Sequence, residues 1–159
     1  DSDNTVADAA RVRLACERRF ADPRPGAVAV LRELRSSGLR IGVVSDCTAE
    51  LPRCFPDLPV APLVHAAVFS CETGHVKPEP ENYLACATAL SVDPEACVYV
   101  GDGGSDELAG AARVGMHPVL LDVVAERGGV VYGRADWDGR AVADLSDVLR
   151  LVAELRAGG

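Results

Sequence analysis

The chain has 159 residues, 48% of them apolar, and a formal net charge of −8. That length supports one domain with a sizeable core, and no apolar run is long enough to span a bilayer. The acidic balance argues against nucleic acid or an anionic membrane surface as a partner, since neither attracts it.

In chain order, Thr5 with Asp8 approximates a capping box, and Val6, Ala10 and Leu14 form an apolar stripe, which predicts a helix over 6–20. Val28, Leu31 and Leu34 predict a second helix over 27–37, with Gly38 placed to stop it. Apolar runs predict strands at 41–45, 66–70, 97–101 and 118–122. Pro80 suits the first turn of a helix over 80–90, and spacing through Leu108, Ala111 and Ala112 predicts a helix over 105–114 with Ser105 as its cap. The stretch 123–144 is expected to be irregular, and Val148, Leu149, Val152 and Leu155 form one face of a last helix over 146–156. Helices alternating with short apolar strands predict a three-layer, doubly wound parallel α/β sheet.

Three places carry chemistry. The strand Cys97 to Gly101 runs into Asp102-Gly103-Gly104-Ser105-Asp106, so two acids and glycine-rich backbone sit at a strand's carboxyl end, where open α/β sheets bind ligands. Acids and amides so placed suit Mg²⁺ and phosphate, although a plain Gly/Asp turn would look the same. Of the sixteen basic residues all but Lys77 are arginine. Lys77 precedes Pro78 on a loop entering the 80–90 helix, where a compact ammonium is wanted rather than a planar fork. The strand over 41–45 ends in Ser45 and Asp46, a hydroxyl and an acid; a serine there also satisfies nearby backbone.

Strand-Ser45, then Lys77-Pro78, then Gly101-Asp102 with Asp106 resemble motifs II, III and IV of the haloacid dehalogenase superfamily, whose members are mostly Mg²⁺-dependent phosphatases. The resemblance runs from about Pro23 to Asp122. It implies that Ser45 hydrogen-bonds the transferring phosphoryl group and that Asp46 beside it takes part in binding the substrate. Lys77 would neutralise the nucleophilic carboxylate and the phosphate together. Asp102 would help hold Mg²⁺, Asp106 would orient Lys77 or a metal-bound water, and the Gly103 amide would complete the cradle. The implied activity is hydrolysis of a small phosphorylated metabolite through an aspartyl-phosphate.

The family's nucleophile is an aspartate in an Asp-x-Asp-x-Thr/Val motif at the end of a first, central strand. Asp1-Ser2-Asp3-Asn4-Thr5 fits those letters, but no apolar strand precedes Asp1. The favoured expectation is that 1–22 is a cap-derived helix and linker, that 23–159 is the core, and that the chain lacks the nucleophile by N-terminal truncation. Asp1 and Asp3 as the true motif is the other reading. A non-catalytic fragment or interaction module is the rival functional class. A receiver-type signalling domain is set aside, because Asp102 and Asp106 come after the lysine.

The six cysteines contain no Cys-x-x-Cys and no histidine at ligand spacing, so a zinc site is not expected. They read as reduced thiols of a cytoplasmic protein. Of His65, His75 and His117, only His75 belongs near the mouth of a site.

Overall fold

A computed structural model describes residues 23–122 and 136–157, together with Ala7, Asp8, Arg11, Arg13 and Ala15. Those five early residues are helical where the first helix is expected. Arg13 Nε lies 3.0 Å from Glu50 Oε1, which ties this stretch to the core. Asp1, Asp3 and the Thr5 cap lie outside the described residues.

Helix α1 (Ala27–Ser36) ends as its sequence implies. Gly38 takes a φ of 81°, and the Leu39 N–H returns to the Leu34 carbonyl at 3.2 Å. Strand β1 (Gly42–Ser45) follows, then a short helix α2 (Glu50–Cys54) and strand β2 (Ala66–Phe69). Ser70 was expected to end that strand. It instead opens a one-turn helix α3 (Ser70–Thr73), which Gly74 terminates with a φ of 79°. Helix α4 (Pro80–Leu90) has the expected bounds, proline first.

Strand β3 (Val98–Gly101) leads through a tight turn into α5 (Glu107–Arg113). That helix starts two residues later than spacing suggests, because Ser105 and Asp106 adopt φ values of 55° and 50°. Ser105 therefore does not cap it. Strand β4 (His117–Leu121) is followed, beyond the undescribed 123–135, by a two-residue strand β5 (Ala141–Val142) and helix α6 (Leu145–Ala157). The part of the 123–144 stretch expected to be irregular thus contributes a strand.

All ladders are parallel, as the α/β reading requires, and they form two sheets: β1 with β2, and β3, β4 and β5 in that order. No ladder among the described residues joins β1 to β3. Helix α4 packs on β1 and β2, α5 packs on β3 and β4, and α1 lies against α6. Val68, Cys86 and Leu90 make one buried cluster, and Tyr83, Ala87, Ala111 and Met116 another. Gly42 permits the first approach, since a Cβ there would sit 2.4 Å from the Cys86 sulfur. Among the described residues, no helix is long and apolar enough to cross a membrane.

Candidate active site

The carboxyl ends of β1 and β3 are linked by the loop that carries Lys77. Its backbone N–H donates to both carboxylate oxygens of Asp46, each at 3.1 Å, just past the end of β1. Its ammonium donates to Glu107 Oε2 at 2.8 Å, at the start of α5. One residue thereby bridges the segment after β1 and the helix after β3, by backbone on one side and by charge on the other.

The acid that pairs with Lys77 is therefore Glu107, which sequence reasoning passed over in favour of Asp106. Asp106 is exposed and in the left-handed conformation, turned out by the same two residues that delay α5. No ion pair places it on Lys77 among the described residues. Glu107 is 4% exposed, and its carboxylate also accepts the Tyr99 hydroxyl at 2.8 Å and the Gly103 N–H at 3.0 Å. Its backbone carbonyl accepts the Tyr83 hydroxyl at 3.0 Å. A buried carboxylate is tolerated only when paired and hydrogen-bonded in this way.

Burial, and then the Glu107 charge, push both Tyr99 and Tyr83 well above the ordinary tyrosine range, so both remain proton donors to Glu107. Gly101 makes room for the carboxylate, because a Cβ there would lie 2.1 Å from Glu107 Oε1. Gly110 does the same for the loop, since its Cβ would meet Tyr83 Oη at 2.6 Å and Pro78 at 3.0 Å. The observed start of α5 explains the choice of Glu107. On a helix beginning at 107 it shares a face with Gly110 and Ala111, both buried.

Asp102 follows β3 and is half-buried, and its Oδ1 accepts the Gly104 N–H at 3.1 Å. Gly103, with a φ of 86°, gives its N–H to Glu107 rather than leaving it open toward a ligand. Ser45 ends β1 and is half-buried. Glu107 already serves three protein partners. Asp102 is a hard oxygen donor of the kind Mg²⁺ takes, and it supplies a fraction of the six oxygens that ion needs.

His75 lies two residues before Lys77 and turns to acidic side chains of its own segment. Its Nδ1 is 3.0 Å from Glu79 and 3.7 Å from Glu81, so these three side chains bring ligand atoms within 4.8 Å of one another on the surface, a grouping the sequence reading did not foresee. His65 and His117 serve the backbone instead. His65 Nδ1 accepts the Ile41 N–H, and the His117 ring meets the Glu95 carbonyl.

Lys77 is thus held by a carboxylate, and Asp46 and Asp102 follow strands β1 and β3. The family model described as haloacid dehalogenase-like hydrolase matches residues 2–115, and the chain belongs to that family. It is 35% identical over 107 residues to glyceraldehyde 3-phosphate phosphatase of Methanopyrus kandleri, a match covering 64% of this chain and 44% of the relative. It is 29% identical over 102 residues to hexitol phosphatase A of Escherichia coli, covering 64% and 47%. A solved phosphatase of the family from Thermococcus onnurineus superposes with a TM-score of 0.65 at 25% identity, covering 81% of this chain and 57% of that one. The chain thus spans about half the length of the curated relatives it matches.

Proposed function

We propose that the protein containing this chain hydrolyses a small phosphate monoester, using Mg²⁺ and an aspartate nucleophile. The observation that carries the reading is the Lys77 ammonium held 2.8 Å from buried Glu107 between two strand ends that bear Asp46 and Asp102. Phosphoryl transfer needs a fixed positive charge beside the phosphate more than it needs further covalent chemistry. Glu107 sets the position of that charge, Ser45 donates its hydroxyl to a phosphoryl oxygen, and Asp102 is the metal ligand. Bound Mg²⁺ would neutralise charge on the phosphoryl oxygens. Asp46 accepts the Lys77 N–H, and so acts on the substrate by holding the loop. The names of the two phosphatases, one for a triose phosphate and one for hexitol phosphates, support a small polyol or aldehyde phosphate as substrate.

The stretch 1–22 is read as cap-derived, and the helical residues between 7 and 15 are in keeping with a helix there. The five described cysteines, all free thiols, are in keeping with a reducing cytoplasm. The test is a panel of sugar and polyol phosphates with Mg²⁺, run on the protein and on Lys77→Arg. Arginine keeps the charge but replaces a compact donor by a fork, so turnover should fall on the order of 10²-fold. Equal turnover of the two proteins would overturn the role given to Lys77. Hydrolysis that is abolished by Asp1→Asn would show that Asp1 is the nucleophile after all.

A further inference from the structure

The loop that follows Asp46 meets α3 through a pair of sulfurs. Cys47 Sγ and Cys71 Sγ stand 3.9 Å apart, although the residues are 24 positions apart in sequence. Two further bonds hold the backbones together at the same place. The Cys47 N–H donates to Ser70 Oγ at 3.0 Å, and that hydroxyl reaches the Cys47 carbonyl at 3.4 Å. The juxtaposition therefore does not depend on the thiol rotamers alone. Closing the contact to a bond of about 2 Å needs the sulfurs to move by about 2 Å, within the range of a rotamer adjustment.

We propose that Cys47 and Cys71 are a modification site that forms a reversible disulfide, tying the segment after Ser45 and Asp46 to α3.

The oxidant is a low-molecular-weight disulfide such as oxidised glutathione. Cys71 is exposed and Cys47 half-buried, so Cys71 is the sulfur the oxidant reaches first. Its thiolate attacks one sulfur of glutathione disulfide and expels a glutathione thiolate. Cys47 then gives up its proton to solvent and attacks the Cys71 sulfur of the mixed disulfide, releasing the second glutathione. Two protein thiols are oxidised and one disulfide is reduced to two thiols. Burial, reinforced by the Cys71 neighbour, pushes the Cys47 thiol up to about 11, so the resolving step is the slow one and quickens as pH rises.

The cross-link would stiffen the segment whose carboxylate holds the Lys77 N–H, so thiol state would reach the site through Asp46. The chemistry itself does not depend on the substrate reading.

The experiment incubates the chain with oxidised glutathione and follows intact mass, peptide mapping and thermal melting. Wild type should lose two hydrogens and yield a peptide linked through Cys47 and Cys71. Its melting temperature should rise by about 5 °C, since the bond closes a loop in the unfolded chain, and reductant should reverse the shift. Cys47→Ser should stop at a glutathione adduct on Cys71. A wild-type protein that also stops at that adduct, a linkage mapped to other cysteines, or a bond that lowers the melting temperature would overturn the proposal.

Discussion

The two ends of the site are held by different means. After β3 the chain turns around a buried carboxylate. Glu107 is gripped by Lys77, Tyr99 and Gly103, and three residues of the turn, Gly103, Ser105 and Asp106, adopt positive φ around it. After β1 the chain is held more lightly, by the Lys77 N–H on Asp46 and by the Ser70 hydroxyl on Cys47. One side is thus a charge cage in the core, and the other a part-buried loop held by backbone N–H and hydroxyl donors. A positioned charge needs the first kind of support, because removing one member of a buried pair leaves its partner uncompensated. A segment that changes state is better served by the second.

The comparison breaks most severely at the cage. Glu107→Ala leaves a lysine whose side chain is only 16% exposed without its counter-charge, together with two stranded donors. A loss of about 3–5 kcal/mol in urea unfolding is expected. A loss below about 1 kcal/mol would mean that Lys77 swings out to water at little cost.

Gly101→Ala tests the same cage from below. The added methyl displaces a carboxylate that has no slack, so a cost of about 1–3 kcal/mol is expected, with Lys77 misplaced as a consequence. On the β1 side the corresponding change is milder. Ser70→Ala removes the hydroxyl that braces Cys47, and should cost about 1 kcal/mol while leaving Lys77 and Glu107 paired.

A pH-dependent effect sharpens the account of packing on β1. Burial pushes the Cys86 thiol from 9.0 up to about 11. Unfolded chains therefore lose this proton as pH rises past 9, while the folded chain keeps it until about 11. Folding stability should fall across that window, and Cys86→Val should flatten the decline. A melting temperature with the same slope in both proteins would contradict the assignment.

Much of this arrangement was legible in the residues. Gly38, Pro80 and the apolar runs ending at Ser45 and Gly101 mark element ends because each rests on a local rule of backbone geometry. The choice between Asp106 and Glu107 did not follow from such a rule. The two acids are adjacent, and which one faces inward depends on where α5 begins, which the left-handed Ser105 and Asp106 decide. Strand β5 was illegible for another reason. Two residues carry no period, and Ala141 and Val142 become a strand only because Leu120 and Leu121 offer an edge. The sulfur pair likewise joins residues brought together only by the β1–β2 pairing.

Because Lys77 is the chain's sole lysine, lysine-selective ¹⁵N labelling yields a single side-chain ammonium signal, and that signal reports the central claim directly. If Glu107 holds the ammonium, its protons are shielded from exchange and give a resolved cross-peak near neutral pH. The peak should vanish in Glu107→Gln and persist in Asp106→Asn. A peak that survives Glu107→Gln but is lost in Asp106→Asn would contradict the account and return the role to Asp106.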